Sequence, residues 1–150
     1  MPSTFTQNLY HIVFSTKHRE PWLSPAIEER LHPFLGGIAR DLGCTPLAVN
    51  GDADHIHAVL RFPSKLSISD LAMHLKGRSS AWLHGEFPAA AGHGWQDGYG
   101  GLTVSSSMLD RVIEYVRRQK DHHARVSFKD ELRELMRLHG VDVQESDLFK

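Results

Sequence analysis

Two histidines that stand two residues apart offer the clearest chemistry in the sequence. His55 and His57 lie in the segment GDADHIHAVL, whose apolar and β-branched residues predict a strand. Side chains at positions i and i+2 of a strand leave the same face, roughly 6 to 7 Å apart along the chain, so two imidazole rings can converge on one object. In one interpretation that object is a metal ion. In the other, the two rings are a half-buried pair without a ligand.

A second group of polar side chains occurs in the segment YVRRQKDHH. Tyr115 and Gln119 are four residues apart, which places them on one face of a predicted helix, about 6 Å from each other. A helix packed on the sheet would bring a phenol and an amide oxygen to the two histidines. Two imidazoles and one amide oxygen leave coordination positions open for substrate oxygens, as a catalytic metal requires. The alternative is that Tyr115 is an aromatic residue at the edge of the core and that Gln119 is solvated.

The elements that must position these side chains follow a specific order. Alternation and apolar spacing predict strands over 8–16, 45–51, 55–62 and 99–105, and helices over 24–43, 67–84, from 107 onwards and over 127–140. This β-α-β-β-α-β order with further helices predicts an α+β fold of the ferredoxin-like split type, with one antiparallel sheet and extra C-terminal helices. In such a fold the helices cover one face of the sheet, which leaves the other face free for a ligand or a second sheet.

Local signals mark the ends of several helices. Ser24, followed by a proline, is a predicted N-cap, and Ser127 with Asp130 forms a predicted capping box. Pro33 lies inside the first predicted helix together with a glycine pair. We expect these residues to kink or weaken that helix.

Composition limits the class of protein. The 150 residues fit one domain, 1–150, and the 41% hydrophobic and 23% charged content is typical of a globular protein. The sequence contains no apolar run of about 18 to 20 residues, so we expect no membrane span. The N-terminus resembles no signal peptide and Cys44 is the single cysteine, which together favour the cytoplasm. The net charge of −1 implies no general cationic attraction to nucleic acid.

Several motifs resemble one protein family in the same order along the chain. The segment DHIHAVL resembles the His-hydrophobic-His signature of the HUH superfamily. The segments WQDGYG, VSSS and VIEYVRRQKDHH resemble the carboxyl half of its single-tyrosine transposases, the small enzymes of insertion sequences, with the REP-associated tyrosine transposases as relatives. The resemblance extends from YHIVFSTKHR through LKGRSS to HHARVSFKDEL and therefore covers nearly the whole chain.

The resemblance implies roles for four residues. His55 and His57 would bind a divalent ion, Gln119 would complete the protein ligands, and Tyr115 would be the nucleophile. The implied reaction cleaves hairpin-bearing single-stranded DNA through a 5'-phosphotyrosine link and rejoins it without a nucleotide cofactor. Arg118 stands where many relatives have Asn, a departure that concerns DNA specificity more than the reaction.

The types of the candidate ligands limit the choice of metal ion, and other side chains are candidates for contact with DNA. An amide oxygen and phosphate oxygens beside two imidazoles suit Mg or Mn better than Zn. Basic side chains can follow phosphates and aromatic rings can stack on bases. The candidates for phosphate contact are Lys17, Arg19, Lys76 and Arg78, and those for stacking are Trp95 and Tyr99. Alternatively, the basic residues are ordinary solvated side chains and Trp95 anchors its loop on the core.

Two other functions remain open from the sequence. One is a metal-dependent nuclease that activates water and forms no covalent intermediate. The other is a domesticated, non-mobile relative that binds or processes DNA. The substitution Tyr115→Phe separates the first from the transposase, since a nuclease would keep its activity.

A homodimer is also expected. An unpaired sheet edge formed by HIVFST or HIHAVLRF would be an apolar template for a second chain, and two-fold pairing would cover both copies. The resemblance also implies a dimer, in which the tyrosine helix of one subunit completes the metal site of the other in some members.

Overall fold

A computed structural model describes residues 4–142 of the chain. Its elements are β1 (Asn8–Ser15), α1 (Pro25–Asp41), β2 (Thr45–Asp52), β3 (His55–Phe62), α2 (Ile68–Glu86), β4 (Gly100–Thr103), α3 (Leu109–Arg117), α4 (Gln119–His123) and α5 (Phe128–Leu138). The first six follow the β-α-β-β-α-β order, so the predicted ferredoxin-like fold with extra C-terminal helices is confirmed. No helix in the described part of the chain is both long and apolar enough to traverse a bilayer.

The four strands form one antiparallel sheet in the order β2-β3-β1-β4. The two most apolar strands, β1 and β3, are therefore central. The expectation that HIVFST or HIHAVLRF forms an unpaired edge is wrong. The edges are β2, which contains Pro46, and β4, which has only 4 residues. Proline and short length are both typical of edge strands, because neither favours pairing with another chain.

One face of the sheet carries the main hydrophobic core. Alternate residues of β1 and β3 pack here against α1 and α2, because successive side chains of a strand point to opposite faces. The buried members from the strands are Ile12, Phe14, Ile56, Ala58, Leu60 and Phe62, and those from the helices include Leu31, Leu35, Leu71, Leu75 and Leu83.

Helix α1 is continuous through its internal proline. It begins where predicted, with the Ser24 hydroxyl accepting a hydrogen bond from the backbone N–H of Ile27 at 3.4 Å. Pro33 and the glycine pair, which were expected to kink or weaken the helix, do not end it, because α1 extends over 17 residues. Pro33 and Glu29, whose carbonyl loses its partner, both lie on the exposed side. Water can satisfy that carbonyl, which lowers the cost of the proline.

The opposite face of the sheet is covered by the C-terminal helices. Phe128, Leu132 and Met136 of α5 pack against Val13 of β1 and Leu102 of β4 in a second, smaller hydrophobic cluster. The expectation that this face is left free for a ligand or a second sheet is therefore wrong. Its covering helix starts at the predicted cap, where the Ser127 hydroxyl accepts from the Asp130 N–H at 3.2 Å.

The helix predicted to carry both Tyr115 and Gln119 is divided. Helix α3 ends at Arg117, Arg118 leaves helical geometry with φ −95° and ψ 20°, and α4 begins at Gln119. The Asn50 side chain of β2 donates hydrogen bonds to the carbonyls of Val116 at 3.0 Å and Arg117 at 3.1 Å. These bonds satisfy carbonyls that a helix end leaves without partners, so the strand stabilises the break.

Candidate metal and nucleophile site

His55 and His57 are completely buried beneath the C-terminal helices. Both have 0% exposure, and both leave the face of β3 opposite the main core, as their spacing predicts. Their ring centroids lie 5.1 Å apart at nearly a right angle. The covering helices therefore decide what the two rings contact.

Gln119 reaches His55 despite the break in the helix. Its Oε1 atom lies 2.9 Å from Nε2 of His55, and the side chain is fully buried. The predicted grouping of two imidazoles and one amide is thus present in the structure.

Glu131 of α5 is the central residue of the site and is one that the sequence analysis missed. Its Oε1 atom lies 2.8 Å from Nε2 of His57. Its Oε2 atom accepts hydrogen bonds from the Tyr115 hydroxyl and, at 3.1 Å, from the side-chain amide of Gln119. With 3% exposure it is a buried carboxylate that lies within 3.7 Å of the side chains of His55, His57, Tyr115 and Gln119. A signal existed, because Glu131 interrupts the apolar stripe of its helix at a position three residues after Phe128.

The Nδ1 atom of each strand histidine lies within hydrogen-bonding distance of a further side chain. Nδ1 of His55 lies 2.8 Å from a carboxylate oxygen of Asp54, and Nδ1 of His57 lies 2.7 Å from Nε2 of His11. Both Nε2 atoms consequently face the centre of the site. Such partners fix ring orientation and tautomer at metal centres.

Burial and charge set the protonation of these groups. Burial lowers the pKa of His57 to about 4, which keeps the imidazole neutral at neutral pH, as a metal ligand must be. Burial opposes ionisation of Glu131, but the adjacent imidazoles of His123 and His57 outweigh it and hold the carboxyl pKa well below its usual range. Burial, followed by the nearby Glu131 charge, raises the pKa of Tyr115 and keeps the phenol protonated.

Four donors in the described residues could hold a metal ion together. The ligand atoms of His55, His57, His123 and Glu131 all lie within 4.8 Å of one another. Imidazole nitrogens and a carboxylate oxygen are common metal ligands, so the residues present fit a divalent cation.

Basic side chains surround the nucleophile candidate and the site unevenly. A groove beside Tyr115 is lined by Arg118 and Arg125, neither of which the sequence analysis selected as a candidate for phosphate contact. Lys17 and Arg19 lie in the turn after β1, just beyond Thr16, whose backbone N–H donates to the carbonyl of Asp54, the residue before the histidine strand.

Two other predicted phosphate contacts lie away from the site. Lys76 and Arg78 belong to α2, which packs on the opposite face of the sheet. Lys76 donates to the carbonyl of Gly98 at 2.8 Å, and Arg78 pairs with Asp41 at 2.8 Å. The structure therefore does not bring these two residues to the histidines.

The predicted stacking residues belong largely to the core. Trp95 is 8% exposed, its indole N–H donates to the Ser79 hydroxyl at 2.9 Å, and its ring packs edge-on against Phe14. Its ring is therefore not available to a base in this structure, which favours the alternative that it anchors its loop. Tyr99 is partly buried and also packs against the core.

Comparison with known proteins identifies relatives of the chain. The family profile described as "Transposase IS200 like" matches residues 4–119. The transposases for insertion sequence element IS200 of Salmonella typhimurium (strain LT2) and Salmonella typhi are each 37% identical over 82 residues, which cover 52% of this chain and 51% of theirs. The chain thus spans about half the length of the curated relatives it matches.

Solved structures show the same fold. A protein from Deinococcus radiodurans, solved as a candidate transposase, superposes with a TM-score of 0.66 at 26% identity, covering 79% of this chain and 95% of that one. A REP-associated tyrosine transposase bound to a REP hairpin superposes with a TM-score of 0.62 at 12% identity, covering 84% of this chain and 74% of that one. The second similarity is one of fold.

Proposed function

Because the chain belongs to the IS200-like transposase family, we propose that it cleaves and rejoins single-stranded DNA with Tyr115 as the nucleophile. One observation carries the proposal. The Tyr115 hydroxyl contacts the carboxylate of Glu131, and this carboxylate also contacts His57. The side-chain amide of Gln119, which lies beside Glu131, contacts His55. A phenol is therefore held beside a group of metal-ligand side chains, as a metal-assisted phosphoryl transfer requires.

The reaction follows from the chemistry of the phenol. The Tyr115 oxygen attacks the scissile phosphorus, and the bond to the 3' oxygen breaks, giving a 5'-phosphotyrosine and a free 3'-hydroxyl. The ester retains the energy of the broken bond, so the reverse attack by a 3'-hydroxyl can join new ends without a nucleotide cofactor. The buried phenol must lose its proton during attack, and the carboxylate of Glu131 lies in hydrogen-bonding contact with it.

His55, His57 and Gln119 are the proposed metal ligands. Asp54 can only accept, so a singly protonated His55 carries its proton on Nδ1 and presents a lone pair on Nε2. That lone pair lies 2.9 Å from the Gln119 oxygen, which also carries lone pairs, so the two atoms repel each other. A cation bound by both atoms would remove this repulsion. A divalent ion such as Mg or Mn would stabilise the charge that develops on the phosphate oxygens.

Hairpin-bearing single-stranded DNA is the proposed substrate. A relative of the same fold was solved with a REP hairpin, and Arg118 and Arg125 line a groove beside Tyr115 that could receive a phosphate. Lys17 and Arg19 would contact DNA near the start of the histidine strand, whereas Lys76, Arg78 and Tyr99 would serve more distant segments. Residues 1–150 would act as one transposase domain, and the cytoplasm is its proposed location.

A homodimer is also proposed, now through the edges β2 and β4. The Tyr115 hydroxyl contacts Glu131, which in turn contacts His57, and in a dimer this grouping would form either within one subunit or with the tyrosine helix of one subunit completing the metal site of the other. Mixing His57→Ala with Tyr115→Phe subunits tests this arrangement. A trans site would restore one intact centre and label the His57→Ala subunit with DNA, whereas cis assembly gives no labelled subunit once subunit exchange is demonstrated.

The test of the reaction uses labelled oligonucleotides from the DNA that flanks the gene, chosen for imperfect palindromes. We expect the wild type to form a covalent protein–DNA adduct on a denaturing gel and Tyr115→Phe to form none. Tyr10→Phe is the matched control, because Tyr10 packs against Phe62 away from the site. Cleavage that persists in Tyr115→Phe would establish the nuclease instead, and hairpin binding without cleavage by the wild type would establish the binding relative.

A further inference from the structure

The two short helices after the nucleophile bring two further metal-ligand side chains into the site. His123 ends α4 and Glu131 lies in the first turn of α5, and both positions follow the last residue matched by the family profile. The His123 side chain is 5% exposed and that of Glu131 is 1% exposed. Two groups that normally prefer water are thus enclosed beside the two strand histidines.

Their donor atoms are spaced as in a coordination sphere. Oε1 of Glu131 lies 2.8 Å from Nε2 of His57, 3.1 Å from Nε2 of His123 and 3.7 Å from Nε2 of His55. Ligands about 2.1 Å from one ion are separated by about 3.0 to 3.4 Å in octahedral and tetrahedral geometry. These three separations bracket this range, and all four ligand atoms lie within 4.8 Å of one another, so an inward movement of the more distant imidazole nitrogens would place the four atoms around one cation.

The hydrogen bonding of His123 also indicates a missing partner. Its Nε2 atom is buried and makes no hydrogen bond within the described residues, although the Glu131 carboxylate is 3.1 Å away. An imidazole nitrogen that is enclosed without a hydrogen bond is costly unless another group satisfies it. A metal ion bound to its lone pair would do so.

We propose that Glu131 and His123 are metal ligands that join His55, His57 and Gln119, giving the site three imidazoles, one carboxylate and one amide oxygen. This inference rests on the proposed function and refines its metal. Three imidazole nitrogens suit Zn²⁺ best and accept Mn²⁺ more readily than Mg²⁺, which prefers oxygen ligands and retains its waters, so the site selects a transition-type dication.

Glu131 then joins the ion to the nucleophile. Its Oε1 atom faces the imidazoles, whereas its Oε2 atom accepts from the Tyr115 hydroxyl and from the Gln119 amide. Gln119 orients the carboxylate, and the carboxylate holds the phenol at a set position beside the cation. The C-terminal helices therefore couple metal binding to the placement of Tyr115.

Metal binding to the full chain tests the proposal without relying on activity. Isothermal titration of the chelator-treated protein with MnCl₂, ZnCl₂ and MgCl₂ should give tight binding of Mn²⁺ and Zn²⁺ and weak binding of Mg²⁺. Glu131→Gln and His123→Ala should each weaken Mn²⁺ binding about tenfold or more, since even partners outside the ligand sphere contribute 10–100-fold. Glu134→Gln is the matched control, because Glu134 lies on the same helix and pairs with Arg137 at the surface.

A second measurement separates ligand loss from misfolding. In the Mn²⁺-loaded protein, pulsed electron paramagnetic resonance should lose one imidazole nitrogen coupling in His123→Ala and none in Glu131→Gln. A variant that retains the wild-type number of nitrogen couplings and the wild-type affinity overturns its residue as a ligand.

The outcomes also distinguish this inference from the proposed function. If His57→Ala loses Mn²⁺ binding while Glu131→Gln and His123→Ala bind as the wild type does, the two added ligands are wrong and the metal-assisted mechanism stands. If His57→Ala also binds normally, the proposed metal site itself is wrong. Mg²⁺ affinity equal to that of Mn²⁺ would overturn the preference for a transition-type cation.

Discussion

The two faces of the central strands show opposite uses of burial. On one face Ile12, Phe14 and Ile56 meet α1 and α2 in a continuous apolar core. His55 and His57 belong to the same strand as Ile56 but lie on the other face. There they contact Gln119 and Glu131 beneath α4 and α5. Neighbouring residues of β3 therefore belong to different environments, because each step along a strand changes the face.

The contrast shows what burial achieves in each place. Removing apolar area from water contributes about 25 cal/mol per Å² and accounts for the stability of the core face. The histidine face excludes water from polar groups. This exclusion raises the free-energy cost of burying those groups, and it strengthens every electrostatic interaction among them. The first face holds the sheet in place, and the second uses that rigid sheet to fix the positions of the two histidine side chains.

The largest expected effect lies on the histidine face. His57→Ala, and equally His55→Ala, should reduce DNA cleavage by on the order of a thousandfold, equivalent to about 4 kcal/mol in the barrier. Adduct formation measured against time provides the rate. The midpoint of urea unfolding should change much less, and a double variant that still cleaves DNA with a metal ion would contradict the assigned roles.

The adjacent residue should show the opposite behaviour. Ile56→Ala removes a fully buried side chain from the core face and should lower the free energy of unfolding by about 2 to 5 kcal/mol. The cleavage rate per folded molecule should stay near that of the wild type at a temperature where the variant is folded. If Ile56→Ala instead lost cleavage at unchanged stability, the two faces would not be separate in function.

A histidine at the junction of the two faces should produce a pH effect. Burial, followed by the charge of Lys120, lowers the pKa of His32 to about 4, and its Nε2 makes no hydrogen bond within residues 4–142. Between pH 6.5 and 4 the unfolded chain binds the extra proton, so stability falls as the pH falls through this window. We expect a loss on the order of 3 kcal/mol from this group.

Urea unfolding at several pH values checks this effect. His32→Gln should make the stability curve flatter than that of the wild type between pH 6.5 and 4. Parallel curves for the two proteins would show that His32 has the same pKa in the folded and unfolded chains.

The smallest expected effect concerns the strand that stabilises the helix break. Asn50→Ala removes two hydrogen bonds to the end of α3 and should cost about 1 kcal/mol of stability. Because α3 carries Tyr115 and α4 carries Gln119, adduct formation should also slow by about tenfold, equivalent to about 1.4 kcal/mol in the barrier. Thr45→Ala, at an exposed position of the same strand, is the control. Unchanged adduct kinetics would limit Asn50 to a structural role.

Part of the site was predictable because it depends on short-range geometry. The common face of His55 and His57 follows from the two-residue repeat of a strand, and the cap at Ser127 follows from its hydrogen bond to a residue three positions later. The helix break at Arg118 was not predictable in this way. It depends on Asn50, which lies 66 positions from Val116 in the sequence.

The sequence by itself determined the order of the elements, the alternation of the strands and the residues whose chemistry suits metal-assisted phosphoryl transfer. Only the tertiary structure decided that Glu131 enters the centre of the site, that Trp95 is buried in the core and that β1 and β3 are central. Repeats of 2 and about 3.6 residues are properties of the local backbone. The contact between His57 and Glu131 joins positions 74 residues apart, and such a contact depends on how whole helices pack over the sheet.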